Sequence, residues 1–140
     1  MIDLTKLRAT IEVAEGFRPH AYLDSEGYWT IGHGILIDQR GGGGITLDES
    51  RYLVGNRIVR VRDALNTKFP WWAALDEPRA RALAEMCYVL GPYRLMGFIK
   101  MIAALKAGDW SAAAAECLDS KFARQVGDRE LRIAETFRTG

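Results

Sequence analysis

The chain changes its hydrophobic period, and that change limits what it can fold into more than any other feature. Residues 4–14 carry Leu4, Leu7, Ile11 and Ala14 at three- and four-residue steps, the stripe of one amphipathic helix. Asp3 stands where a helix N-cap belongs and Gly16 where a terminator belongs. Over residues 20–36 the pattern turns to strands: HAYLD and YWTIG flank a Ser25-Glu26-Gly27 turn, and Ile35 to Ile37 read as a third short strand. From Thr46 onward every signal is helical.

Thr46 and Glu49 form a capping box, and Leu53, Ile58, Val61 and Leu65 give the helix after it an apolar face. Pro70 interrupts the pattern, and Asp76-Glu77-Pro78 starts a helix that runs to Gly91. Residues 93–107 and 109–118 read as two more, split by Gly108, followed by a last pair from Ser120 to Gln125 and from Asp128 to Arg138. The Ala-rich run at 112–115 suits a tightly packed short helix. One small β element among helices predicts an α+β, mainly α chain. It is expected to form a single domain over 1–140, with a helix-plus-hairpin lobe at about 1–45 and a helical lobe at about 46–140. The first helix is expected to pack between the lobes, and a ligand to sit in the groove between them.

A chain of 140 residues can bury its own core, and 49% hydrophobic with 26% charged residues is ordinary for a soluble globular protein. The net charge of +1 argues against a protein whose task is coating nucleic acid. No apolar run approaches the roughly 20 residues of a membrane span. The N-terminus has no apolar signal core, so synthesis in a cytosol without a signal peptide, and no stable membrane insertion, are expected. Cys87 and Cys117 lie in apolar surroundings and read as reduced core residues. His20 and His33 lack the spacing of a metal pair, so no metal and no cofactor are expected. The four glycines at 41–44 are followed by Ile45-Thr46, not by the Gly-Lys-Ser/Thr of a phosphate loop, and read as a flexible connector.

The stretch EGFRPHAYLDSEGYWTIGHG, residues 15–34, holds the acids of interest. Glu15 falls on the apolar stripe of the first helix, whereas Glu12 points away from it and reads as solvated surface. A Glu on the buried side of a last helical turn is unusual, and both burial and the negative end of the helix dipole favour its protonated form. Asp24 sits where the first strand enters the turn, a place where an Asx-turn residue is common. Glu26, in the turn itself, reads as solvated, and Thr30 lies on the returning strand. Taken together, a protonated acid at a helix end, an acid on a hairpin and a hydroxyl beside it match what glycoside hydrolysis requires.

The spacing of Glu15, Asp24 and Thr30 within E-G-x-x-x-x-x-Y-x-D-x-x-G-x-x-T-I-G-x-G resembles the catalytic stretch of phage lysozymes, the T-even-type endolysins of glycoside hydrolase family 24. The segments MCYVLG, GFIKMIAALKAGDW, LDSKFARQ and AETFRTG resemble the helical lobe of that family, so the likeness spans nearly the whole chain. It implies a lysozyme-like two-lobed fold and a muramidase that hydrolyses the β-1,4 bond between N-acetylmuramic acid and N-acetylglucosamine in peptidoglycan, for host cell lysis. Glu15 would then be the general acid, Asp24 would activate water and stabilise positive charge on the sugar, and Thr30 would position that water. An inverting outcome is implied, which needs carboxyls roughly 6.5–9.5 Å apart. Leu36 and Tyr88 fall at cleft-facing family positions and are expected to touch sugar. Arg129, in QVGDRELR, matches a position whose guanidinium approaches the catalytic Glu, which would oppose the effect of burial; the sequence leaves open which prevails.

There are departures from the family. The glycine loop is longer, Val89 stands where relatives carry Asn or Gln, and Phe122 replaces a Trp. Trp71-Trp72 read as packing, and Arg51, Arg57, Arg60 and Arg62 either as a solvated face or as an attraction to an anionic envelope. The likeness further implies a monomer that depends on a holin to reach peptidoglycan in the periplasm. Two other readings stay open. A lytic transglycosylase would need one Glu and not Asp24, and a catalytically dead wall-binding module would need neither.

Overall fold

The computed structural model describes residues 1–120 and 127–140. The helix expected from Ser120 to Gln125, and Phe122 within it, therefore fall largely outside the described residues. The chain divides into two compact units, Met1–Tyr52 and Leu53–Gly140. The division falls inside a long helix, where the sequence suggested a change of lobe near residue 45.

In the first unit, α1 (Leu4–Glu15) starts at Asp3, whose carboxylate accepts from the backbone N–H groups of Thr5 and Lys6, and stops at Gly16 with φ +67. Three antiparallel strands follow, β1 (Arg18–Leu23), β2 (Trp29–Gly32) and β3 (Ile35–Leu36), in that order across the sheet. Tyr22 pairs with Thr30 and Thr30 with Leu36, so Thr30 is the middle position of a cross-strand row. The β1–β2 register shifts between Arg18 and Tyr22, an irregularity of the bulge kind.

The four glycines are not a loose connector. Asp38 caps a short 3-10 turn, Gln39–Gly41, and the chain then folds back on the sheet. The N–H of Gly43 donates to Asp38 O at 2.9 Å and that of Gly44 to Leu36 O at 3.0 Å. A Cβ at Gly43 would stand 2.5 Å from Leu36 O, so only glycine lets the backbone come this close. Gly41 and Gly43 thus serve close packing, and Gly42 and Gly44 supply positive φ, where composition alone reads flexibility.

α2 (Leu47–Lys68) opens with the expected capping box: Thr46 N–H donates to Glu49 Oε2 at 2.6 Å, and Glu49 N–H to Thr46 Oγ1 at 3.2 Å. In the second unit a 3-10 turn at Pro70–Ala74 leads to α3 (Glu77–Leu90), capped by Asp76 and ended by Gly91. The segment expected as one helix over 93–107 is two, α4 (Pro92–Met96) and α5 (Ile99–Ala107). Gly97 and Phe98 donate to carbonyls three residues back, and Phe98 leaves the helical region at ψ 58. α6 (Trp110–Leu118) and α7 (Asp128–Thr139) complete the described elements.

The core lies in this second unit. Leu65, Leu83, Met86, Leu95, Met101, Leu105, Ile133 and Phe137 are buried together, with Ala113 and Ala114 giving α6 a face flat enough for close approach. Trp71 and Trp72 pack against it, as expected, and Trp72 Nε1 donates to Asn66 Oδ1 at 2.8 Å. Cys87 and Cys117 are buried free thiols. Two charged residues enter this core. Arg79 donates from Nε to Phe137 O at 2.8 Å and from Nη2 to Arg138 O at 3.3 Å. It also pairs with Asp76 at 2.6 Å, and so caps the C-terminal end of α7 with positive charge. Glu130 is fully buried; its Oε1 accepts from the Cys117 thiol at 2.8 Å, and its Oε2 has no partner among the described residues. Burial pushes both the Glu130 carboxyl and the Cys117 thiol up from their ordinary pKa values.

Candidate active site

The three residues singled out from the hairpin stretch come together in the first unit. Glu15, Asp24 and Thr30 line one open pocket of about 390 Å³, with Tyr22, Glu26, Tyr28, Gly34, Leu36 and Gly41 around them. Each is held by a different local device.

Glu15 ends α1, and its side chain runs to the turn between β2 and β3. Gly34 presents bare backbone there: a Cβ at that position would be 2.4 Å from Glu15 Oε2 and 2.5 Å from its Cδ. The expectation that Glu15 lies on a buried helix face is not met. No residue of α1 is buried, and Leu4, Leu7 and Ile11 are exposed along with Glu15. Periodicity located the stripe, but Glu15 is seated by reaching over Gly34, not by packing along the stripe. Glu12, expected in water, is part-exposed and held by Arg8 Nε at 2.9 Å; that hydrogen bond draws its carboxyl below the usual range.

Asp24 is an Asx-turn residue, and the turn is also what aims it. Its Oδ1 accepts from Glu26 N–H and Tyr28 N–H, each at 2.9 Å, while its backbone N–H donates to Tyr28 O at 2.9 Å. Oδ2 carries no hydrogen bond among the described residues and is the oxygen left for a ligand. Gly27, at φ +81, gives the turn its left-handed step. Thr30 is only 5% exposed, and its hydroxyl donates to the same Tyr28 O at 3.1 Å. With its proton committed, Oγ1 presents lone pairs, so a water could donate to it. Tyr28 O thus joins the two sites, since it accepts from both Asp24 and Thr30. The pocket therefore sets two carboxyl groups, drawn from a helix end and a hairpin turn, around an open space with a fixed hydroxyl acceptor.

Leu36 belongs to this pocket wall, packed near Gly41 and Tyr28. Tyr88 and Arg129 lie in the second unit. Tyr88 is exposed on α3 and borders an apolar groove with Val54, Ile58 and Trp72. Arg129 Nε lies 3.5 Å from Glu85 Oε1, and Arg132 grips the same carboxylate with two bonds at 2.6 and 3.1 Å. Val89 packs against the core.

Sequence reasoning missed Gly34, Asp38 and Arg40. Gly34 entered only as the last glycine of the E-G…T-I-G-x-G stretch, although its place beside His33 in a tight turn was the available sign of close approach. Asp38 and Arg40 were not singled out at all. Asp38 is 7% exposed and accepts four hydrogen bonds, from Trp29 N–H, Arg40 N–H, Arg40 Nε and Arg40 Nη2. The Arg40 guanidinium, chiefly, and the Trp29 N–H hold its carboxyl well below the usual range. An Asp two residues before an Arg at a strand end was the only sequence signal.

The sequence matches the family described as Phage lysozyme over residues 12–134. The pre-baseplate central spike protein Gp5 of Enterobacteria phage T4 is 28% identical over 90% of this chain, which spans only 26% of that longer protein. Probable T4-type lysozymes 1 and 2 of Dictyostelium discoideum are each 24% identical over 98% of this chain and 96% of their own length.

Proposed function

This chain belongs to the phage lysozyme family and is thereby a glycoside hydrolase; on that premise we propose that it is a muramidase acting on the β-1,4 bond between N-acetylmuramic acid and N-acetylglucosamine of peptidoglycan, with inversion, in the lysis of host cells. The observation that carries this reading is the convergence of Glu15, Asp24 and Thr30 on one pocket. Glu15 gives its proton to the leaving glycosidic oxygen. Asp24 stabilises positive charge at the anomeric carbon and, through Oδ2, accepts a proton from a water that also donates to Thr30 Oγ1. That water attacks from the face opposite the leaving group, which inverts the centre and calls for carboxyls roughly 6.5–9.5 Å apart. Leu36 supports one sugar from the pocket wall. The family likeness also assigns Tyr88 to sugar and Arg129 to Glu15; an Arg129→Ala variant with unchanged stability and an unchanged pH–rate profile removes the second assignment.

The test is digestion of purified peptidoglycan by the wild type and by Glu15→Gln, with product masses and anomeric configuration recorded. Reducing, α-configured products from the wild type alone support the reading. Anhydro products would assign a lytic transglycosylase. Binding without products would assign a wall-binding module, and a β-configured first product would remove inversion.

A further inference from the structure

Asp38 and Arg40 stand outside the reacting groups, yet their contacts run to the turn that aims Asp24. Asp38 grips Arg40 with both oxygens: Oδ1 accepts from Arg40 Nε at 3.0 Å and Oδ2 from Arg40 Nη2 at 2.7 Å. This is the planar two-point geometry in which a guanidinium is held most firmly. The same Nη2 donates to Gly27 O at 3.0 Å. Gly27 is inside the Asp24 turn, and its N–H donates to Asp24 O at 3.0 Å. On the next strand, Trp29 N–H donates to Asp38 Oδ2 at 3.1 Å, while Asp38 N–H and Ile37 N–H donate to Trp29 O at 3.1 and 2.9 Å. The turn over 24–28 is therefore gripped at Gly27 and Trp29, on either side of Tyr28. Tyr28 in turn supplies the N–H on Asp24 Oδ1 and the carbonyl that receives the Thr30 hydroxyl.

A short hairpin is marginal by itself, and this one carries a register shift in β1. With a peptide unit fixed on each side of Tyr28, its N–H and carbonyl are held where they seat Asp24 Oδ1 and the Thr30 hydroxyl, and loosening either grip frees both seats. Asp38 is buried, and the Arg40 guanidinium, chiefly, with the Trp29 N–H, holds its carboxyl well below the usual range.

We propose that the Asp38–Arg40 pair is a positioning device for the reaction. It clamps the 24–28 turn through Gly27 O and Trp29 N–H and so holds the Asp24 carboxylate and the Thr30 hydroxyl at a fixed separation around the attacking water. The inference rests on the muramidase reading and adds two positioning residues to it.

A double-mutant cycle with Asp24→Asn tests it. Arg40→Ala, and the milder Arg40→Lys, are made in the wild-type and Asp24→Asn backgrounds. Turnover of soluble peptidoglycan fragments is then measured well below each variant's melting temperature. In the wild-type background Arg40→Ala should lower kcat about ten-fold, the scale on which sub-ångström misplacement acts, with KM within about two-fold. In the Asp24→Asn background it should cost nothing further, because the group it positions is gone. Arg40→Lys keeps a charge beside Asp38 but not the fork, and should fall between; it serves also if Arg40→Ala does not fold. An equal loss in both backgrounds, or a wild-type kcat in Arg40→Ala, overturns the proposal. An Asp24→Asn variant as active as wild type would instead sink the functional reading of Asp24. The clamp is then judged by amide exchange at Glu26 and Tyr28, which should quicken about ten-fold in Arg40→Ala while α5 amides stay unchanged, and is rejected if it does not.

Discussion

Gly34 offers the Glu15 carboxylate a seat that no other residue could leave open, since a Cβ there would lie 2.4 Å from Oε2. Gly34→Ala is therefore expected to displace the acid, lowering kcat about a hundred-fold, the loss that follows from misplacing a reacting group by roughly an ångström. Gly16→Ala is the matched control. Gly16 has nearly the same φ, +67 against +68, but nothing stands within 4 Å of its Cβ position. Both variants put a Cβ at positive φ and should lose stability, but only Gly34→Ala should lose the rate. Equal kinetic losses would show that strain, not the clash, matters.

Thr30 donates to Tyr28 O and is nearly buried, so its two roles can be separated. Thr30→Val should cost about 0.5–1.5 kcal/mol of stability through the lost hydrogen bond. It should also reduce kcat about a hundred-fold, as expected for losing the group that orients the attacking water. Thr30→Ser, which restores the hydroxyl, should recover most of the rate. A Val variant with full turnover would remove Thr30 from the mechanism.

Glu130 makes stability depend on pH. Burial, the larger cause, raises its pKa in the fold, and the Cys117 thiol hydrogen bond lowers it only in part. A carboxyl whose folded value is raised favours the fold below the ordinary Glu pKa. That contribution is lost as pH rises from there through the folded value. Glu130→Met, similar in volume and without the oxygen that has no partner among the described residues, should therefore raise the melting temperature more at pH 8 than at pH 4. At pH 8 the gain should correspond to about 1–3 kcal/mol, the usual cost of a buried unsatisfied group. Thermal melts at the two pH values decide this; a gain that does not vary with pH would mean Glu130 is not held protonated.

Arg79 ties α3 to the last turn of α7 through Phe137 O and Arg138 O. Arg79→Met should lower unfolding free energy by about 1.5–3 kcal/mol, as for hydrogen bonds from a charged donor. Activity per folded molecule should be unchanged, because the hydrogen-bonding partners of Arg79, which are Asp76, Phe137 and Arg138, do not line the pocket of Glu15, Asp24 and Thr30. Chemical denaturation together with active-site titration distinguishes this from a catalytic effect.

Much of the molecule was legible from residues close together in sequence. Asp3 over Thr5 and Lys6, Thr46 with Glu49, Asp76 before α3, and the Asp24 turn are all closed by hydrogen bonds reaching four residues or fewer. Residue type and spacing are enough to specify such contacts, because the chain between the partners has few conformations. The identity and spacing of Glu15, Asp24 and Thr30 were readable for the same reason: helix end, turn and returning strand form one short continuous segment.

What only the tertiary structure decided lies in contacts between residues far apart along the chain. Arg40 reaches Gly27 across 13 positions, and Arg79 reaches Phe137 across 58. The glycines at 41–44 read as slack until Gly43 is seen against Leu36 O, and Glu15 read as buried until Gly34 is seen beneath it. Periodicity states which way a side chain faces around its own helix. What stands opposite depends on the path of the whole chain, which is set by the summed burial of the core and by the few buried polar groups that must find partners.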